Sequence, residues 1–192
     1  NGVAILYRGG ASDITRDIPG FPDEQKRVVA LTLGETRIVS AYMPNGQEVG
    51  SDKYAYKLAW FAALAAWLGE ELARWPRLAL LGDFNVAPED RDVHDPAAWR
   101  ERILCSTPER EAFRRLLALG LADAFRLFEQ PERSFSWWDY RAMGFRRNQG
   151  LRIDHILLAP ALAVGCRSCT IDKAPRRLER PSDHAPVIAE LL

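Results

Sequence analysis

"LALLGDFN", residues 78–85, decides how the rest of the chain is read. Four apolar residues, Leu78 to Leu81, run without interruption into Gly82, and Asp83 and Asn85 follow. A short continuous apolar run fits a strand buried on both faces. With Gly82 as a turn, such a strand presents a carboxylate and a carboxamide at its C-terminal edge. That is the chemistry of a site rather than of a core.

The segments around it alternate in period. "GVAILY" (2–7), "RVVALTL" (27–33) and "TRIVSAY" (36–42) are rich in β-branched residues and read as strands. "GE" at 34–35 predicts a tight hairpin between the last two. From Lys53 to Arg74, Leu58, Phe61, Ala65, Leu68 and Leu72 recur at three and four residues, with Trp60, Leu64 and Trp67 widening the face. This predicts a helix packed on a sheet. After an irregular span, "TPEREAFRRLLALG" (107–120) predicts a second helix with Thr107 as cap, Pro108 as first residue and Gly120 as stop. "SFSWWDYR", "LRIDHILLA", "GCRSCTI" and "APVIAELL" follow as strands or strand-like segments. The pattern indicates an α/β sandwich with mixed sheets in one domain.

Composition narrows the function. The 192 residues are 47% hydrophobic, enough for one sizeable core. No apolar run is long enough for a membrane span. Lys+Arg and Asp+Glu both number 26, so no global basic excess marks a nucleic-acid binder. "GFRRNQGLR" and "APRRLER" are nonetheless locally basic. Three cysteines, at 105, 166 and 169, form no paired framework and favour a reducing compartment, the cytoplasm. "CRSC" has no companion motif and lies in a strand-like stretch, against a zinc or redox role.

Four polar signals fall at strand ends or loops: Tyr42 with Asn45, Asp83 with Asn85, Asp154, and Asp183 with His184. A lone strand-end Asp is commonly a turn or cap residue. Taken together, hard oxygen ligands for Mg²⁺, a carboxylate-oriented histidine, and amide and phenol donors suit phosphate ester hydrolysis. No G-x-S-x-G elbow or P-loop is present, which argues against serine hydrolase and P-loop chemistry.

In order, "AYMPNG", "LLGDFNVAPED", "SFSWWDYRAMGFRRNQGLRIDHILLA" and "RPSDHAPV" resemble the exonuclease III family of the endonuclease/exonuclease/phosphatase superfamily. The resemblance spans nearly the whole chain. It implies a four-layer α/β/β/α sandwich of two sheets, DNase I-like, with the site where loops of both sheets meet. It also implies Mg²⁺- or Mn²⁺-dependent cleavage of duplex DNA, 5′ to abasic sites and from 3′ ends. Asp83 matches the carboxylate that activates water, and Asn85 a group holding that water or a phosphate oxygen. His184 matches the donor to phosphate and Asp154 its partner. Asp183 matches a metal ligand, Tyr42 a phenol near the phosphate or leaving oxygen, and Asn45 a phosphate contact. Trp137, with Leu151 and Ile153, matches the wall of a pocket for the flipped-out abasic sugar. One of Trp137 and Trp138 is expected in the core, because strand neighbours face opposite ways. Lys57, Arg146 and Arg147 match contacts to the DNA backbone.

The chain departs from the family at its start. It begins at Asn1, and the opening "FN-x-N" and "Q-E-T" motifs, the latter holding a metal-ligand Glu, are not in it. "GETR" at 34–37 lies in a hairpin and is no substitute. The expectation is a protein with a preceding segment, or a fragment inactive alone, whose first sheet lacks its central strands. Two alternatives stand beside the nuclease: a phosphodiesterase or phosphatase acting on a small phosphorylated ligand, and a non-catalytic DNA-binding module. A monomer without membrane association is expected, and His155 is read as structural.

Overall fold

A computed structural model describes residues 2–192. The strands of the first sheet are β1 (Ser12–Arg16), β2 (Val28–Leu33), β3 (Thr36–Ala41), β4 (Leu78–Asp83), β5 (Ala122–Asp123) and β6 (Asp154–Leu158), in spatial order β1-β2-β3-β4-β6-β5. β2 and β3 form the predicted antiparallel hairpin. β4 joins β3 in parallel, after the crossover helix α1 (Asp52–Arg74), and β6 pairs antiparallel with β4. Two short helices, α2 (Pro96–Trp99) and α4 (Pro160–Ala163), flank α3 (Thr107–Ala118) in the chain. β7 (Cys166–Ile171) and β8 (Val187–Leu191) form a separate antiparallel pair.

β4 is apolar throughout because both its faces are covered. Leu78 and Leu80 meet Trp60, Phe61, Leu64 and Leu68 of α1 and Phe113 of α3 on one side. Ala79 and Leu158 meet Phe125 and Cys169 on the other, with Ile171, Val187 and Ala189 of the second sheet packed against them. Helices, large sheet and small sheet thus stack in layers, the two-sheet sandwich expected from sequence. Ile188, on the opposite face of β8, is half exposed.

The helices obey their local signals with two shifts. Ser51 caps α1, its hydroxyl accepting from Tyr54 N at 3.2 Å, and Asp52 favours the positive helix end. The deepest stripe of α1 runs through Tyr54, Lys57, Phe61, Leu64, Leu68 and Glu71, so it includes two charges. Glu71 accepts from Arg37 of β3 at 2.5 Å. Arg37 also reaches Thr15 of β1 at 2.9 Å, tying helix and edge strand to one guanidinium. The cap of α3 is Ser106 rather than Thr107, in a reciprocal capping box with Glu109. Gly120 ends α3 at φ 94°.

Other expectations need correction. "GVAILY" is not a strand: among the described residues it has no ladder partner, and Leu6 is 93% exposed. "SFSWWDYR" is not a regular strand either, but a connector making isolated bridges from Trp137 to Leu151 and to His184. The first sheet is the large one, and the small sheet is β7–β8. Among the described residues, no helix is long and apolar enough to cross a membrane. The cysteines are free, and burial pushes the Cys169 thiol up to about 12.

Gly82 is no turn. It lies inside β4 at φ 143°, where an added Cβ would stand 1.9 Å from the Ala41 carbonyl oxygen. Gly82→Ala must therefore displace β3 from β4, at a cost of about 3 kcal/mol or more. Urea unfolding of the variant checks this; a loss below about 1 kcal/mol would contradict the close approach.

Candidate active site

The β4–β6 register places Asp83 opposite Asp154. Like charges directly opposed across strands repel, so the surroundings must hold both carboxylates in place. Asp83 Oδ1 accepts from Asn85 N at 2.8 Å and Oδ2 from Asn85 Nδ2 at 3.1 Å. Asn85 sits at φ 50°, a left-handed conformation that Asn tolerates, and this folds its amide back onto Asp83. The same Nδ2 donates to Met43 O at 3.0 Å, while Asn45 Nδ2 donates to Asn85 Oδ1 at 3.0 Å. Met43 N donates to Asp83 O at 3.0 Å. The "YMPN" and "GDFN" loops are thereby sewn together.

Asp154 is held from behind by Ser136, whose buried hydroxyl accepts from Ile153 N and Asp154 N, both at 3.1 Å. His184 arrives through the connector. Trp138 N donates to Asp183 O at 3.0 Å and Ala185 N to Ser136 O at 2.7 Å, while Trp137 and Leu151 exchange amide bonds at 2.9 Å. His184 Nδ1 then donates to Asp154 Oδ2 at 2.9 Å. Asp83, Asp154 and His184 offer ligand atoms that all lie within 4.8 Å of one another, and they line a cleft of about 400 Å³.

The electrostatics follow from this crowding. Burial, then the Asp154 charge, raises Asp83 to about 7, against the pull of His184. Burial lowers His184, but its hydrogen bond to Asp154 and the charges of Asp154, Asp83 and Asp183 outweigh this and bring it to about 9. Burial and the Asp83 charge raise the Tyr42 phenol. At neutral pH the histidine is cationic, and Asp83 is poised between its two forms.

The chain matches the sequence pattern of the Endonuclease/Exonuclease/phosphatase family over residues 1–184. It belongs to that family. It is 37% identical over 205 residues to exodeoxyribonuclease III of Haemophilus influenzae, covering 98% of this chain and 76% of that protein. A Neisseria 3′-phosphatase, NExo, solved bound to a product DNA hairpin, superposes with TM-score 0.93 at 45% identity, covering 95% of this chain and 71% of that one. An AP endonuclease from Archaeoglobus fulgidus gives TM-score 0.89 at 34% identity, with the same coverages.

Within this family fold, the other sequence-matched residues separate. Asp183 Oδ2 accepts from Trp137 Nε1 at 3.0 Å, next to His184. Trp138 is the core member of the tryptophan pair and Trp137 is partly exposed. Leu151 and Ile153 are 0% and 2% exposed, so they back Trp137 from the core rather than line an open pocket. Arg146 and Arg147 are exposed on the turn between Trp138 and Leu151.

Lys57 corrects the reading most. It is fully buried, so it cannot touch a DNA backbone. Its ammonium donates to Asn45 O at 3.1 Å, to Asn85 O at 2.7 Å and to Glu109. With three donors used, it clamps both site loops to α3. His155 is structural, as expected: Nε2 donates to Val86 O at 3.0 Å, Nδ1 accepts from Arg152, and burial keeps the ring neutral. Arg152 is in turn paired with Asp92 at 2.7 Å and Asp123 at 2.8 Å. Ser136, Glu109 and this arginine network carry no motif. Only the capping-box spacing of Ser106 and Glu109 is legible in sequence.

Two outcomes follow. Lys57→Met strands Glu109 as a buried unpaired charge and should cost about 3–5 kcal/mol, measured by denaturant unfolding; a loss under about 1 kcal/mol would exclude the clamp. In the metal-free protein, the His184 imidazole should titrate near 9 by NMR, and Asp154→Asn should lower that midpoint. Because the folded value lies above the unfolded one, the stability His184 contributes is complete below about pH 6.5 and lost as pH rises toward 9. An unmoved midpoint in Asp154→Asn would show that the carboxylate does not hold the ring.

Proposed function

We propose that this chain is a metal-dependent DNA-repair nuclease that hydrolyses phosphodiester bonds 5′ to abasic sites and from 3′ ends of duplex DNA. The observation that carries the reading is the Asp83–Asp154–His184 cluster, in which a cationic histidine and a near-neutral carboxyl group share one cleft. Relatives named exodeoxyribonuclease III and AP endonuclease support the substrate class.

The cluster fits a hard divalent cation, Mg²⁺ or Mn²⁺. The fit rests on geometry: Asp83 and Asp154 face each other across β4 and β6 with ligand atoms within 4.8 Å, hard oxygen donors of the kind such an ion takes. Asp154, with Asp183 next to His184 in the chain, would hold it, and Asp83 is kept for the water. His184 serves better as a hydrogen-bond donor, because its Nδ1 is already committed to Asp154. When bound, the ion supplies charge neutralisation for the phosphate.

The residues divide the remaining work. Asp83, oriented by Asn85, accepts a proton from the attacking water, and its burial raises its basicity above that of an ordinary carboxylate. His184, fixed by Asp154, donates from Nε2 to a non-bridging phosphate oxygen and stabilises charge that grows in the transition state. Tyr42 stands beside Asp83 as a neutral phenol donor. Trp137 offers its exposed edge to the sugar, and Arg146 and Arg147 offer charge to the backbone without reading sequence. The enzyme acts as a monomer on DNA in the cytoplasm.

The deciding experiment is Mg²⁺-dependent nicking of a duplex bearing one abasic site, with EDTA as control and a 3′-recessed duplex and a 3′-phosphorylated end in parallel. Nicking abolished by EDTA is expected. Asp83→Ala, Asn85→Ala, Asp154→Ala and His184→Ala should each lower the rate by ~100-fold or more while circular dichroism stays that of the parent. Binding of the duplex without cleavage in Mg²⁺ would favour a non-catalytic module. Hydrolysis of small phosphoesters alone would favour the phosphatase reading.

A further inference from the structure

The segment that carries Asp183 and His184 lies antiparallel to the connector that follows Phe135. Ser136 faces Ala185, Trp137 faces His184 and Trp138 faces Asp183. In such a pair, successive carbonyls point alternately toward and away from the partner strand. The Asp183 carbonyl faces the connector and accepts from Trp138 N at 3.0 Å, and the Pro181 carbonyl accepts from Tyr140 OH at 2.8 Å. The Ser182 carbonyl lies between them and, by the same alternation, faces away. Its donor is Nη1 of Arg176, from the short turn that follows β7.

Arg176 is a costly residue for packing alone. It is buried and forms no ion pair among the described residues. Its guanidinium lies 4.8 Å from the ring centroid of Phe145, 5.6 Å from that of Tyr140 and 5.8 Å from that of Trp138. The Trp138 and Phe145 rings meet edge to face at 5.0 Å and close this cage. Ring faces attract a cation, but Nε of Arg176 is buried without a partner among the described residues. A buried charge with no acid beside it costs more than an apolar side chain of the same volume. An aliphatic residue would fill the cage more favourably. What the guanidinium alone supplies is a rigid fork, with one donor directed at the Ser182 carbonyl while the charge stays over the rings.

We propose that Arg176 is a positioning residue of the active site: by holding the Ser182 carbonyl it fixes residues 182–184, and so aims His184 at Asp154 and Asp183 at Trp137. The bonds of that segment all start within two residues of the carbonyl that Arg176 holds. His184 N donates to Ser182 Oγ at 3.1 Å, Asp183 Oδ2 accepts from Trp137 Nε1 at 3.0 Å, and His184 Nδ1 donates to Asp154 Oδ2 at 2.9 Å. The rings of the cage belong to the connector and to the turn that bears Arg146 and Arg147, so one guanidinium ties that turn to the histidine. The effect on rate rests on the nuclease reading above; the effect on geometry does not.

The test is Arg176→Met, which fills the cage with an apolar, polarisable chain and removes the donor. The first readout is the Trp137 indole N–H in NMR of the metal-free protein without DNA, assigned by its loss in Trp137→Phe. Its exchange with solvent should quicken by about 10-fold or more as the bond to Asp183 loosens. The second is nicking of an abasic duplex in Mg²⁺, where kcat should fall by about 10- to 100-fold with KM within about twofold. Lys173→Met is the control: its ammonium lies 5.5 Å from the Trp138 ring centroid, and no carbonyl accepts from it among the described residues, so it should change neither readout. Should Arg176→Met fail to fold by circular dichroism, Arg176→Lys is measured in its place; a single ammonium does not reproduce the fork, and the same two changes are expected. Parent-like exchange at Trp137 in the folded variant overturns the proposal, as does a parent-like kcat or an equal loss in Lys173→Met. A parent chain that cleaves no DNA removes the nuclease reading and leaves the indole exchange to decide the positioning.

Discussion

The antiparallel pairing of β4 with β6 sets Asp83 against Asp154, and the rest of the site is organised around that juxtaposition. Two carboxylates at the end of a buried ladder repel each other and lose solvent. The fold does not relieve this by separating them. It supplies a cationic histidine on one side and the backbone and amide donors of Asn85 on the other. Burial first, and the Asp154 charge second, still hold Asp83 well above the usual carboxylate range. Oxygen donors gathered in one cleft are what the metal-dependent chemistry of this family requires.

Holding such a site requires rigid support, and the support is itself ionic. Lys57 with Glu109, Arg37 with Glu71, and Arg152 with Asp92 and Asp123 are all withdrawn from water. Buried pairs of this kind add little net stability compared with apolar residues of equal volume, because desolvation offsets their attraction. Their effect here is positional. Each joins elements distant in sequence: Lys57 links α1 to both site loops and α3, and Arg152 links β6 to the segments around residues 92 and 123. An apolar contact tolerates sliding by an ångström, whereas a lysine with three directed donors does not.

Much of this was legible in the sequence, and the failures have physical causes. "LALLGDFN" announced a doubly covered strand with a site at its end, because continuous apolarity and a terminal Asp are both local signals. The "GE" hairpin and the helices at 53–74 and 107–120 were readable from period and turn chemistry. The resemblance makes Lys57 a DNA-backbone contact, and nothing local signals otherwise; its burial depends on Glu109, 52 residues away. "GVAILY" was misread because β propensity says nothing about whether a partner strand is at hand. Gly82 reads as a turn in the sequence, since the approach of the Ala41 carbonyl is a tertiary fact. Ser136 carried no signal at all, because a single hydroxyl beneath a strand has no periodicity.

The buried pairs also bear on how a chain of zero net charge presents itself to a polyanion. Net charge counts every ionisable group, but a phosphate at the surface responds mainly to those near it and unscreened. Arg37, Lys57 and Arg152 are matched by buried acids, and Arg176, only 6% exposed, is spent over the rings of Trp138, Tyr140 and Phe145. These cations and their acids cancel within the fold. Buried pairs withdraw cations and acids together and leave the exposed total balanced, so placement decides: Lys53 and Arg141 are exposed beside Arg27, and Arg146 and Arg147 are exposed a few residues beyond Arg141. Among the exposed groups it is therefore local position, not the sequence total of zero, that a phosphate responds to.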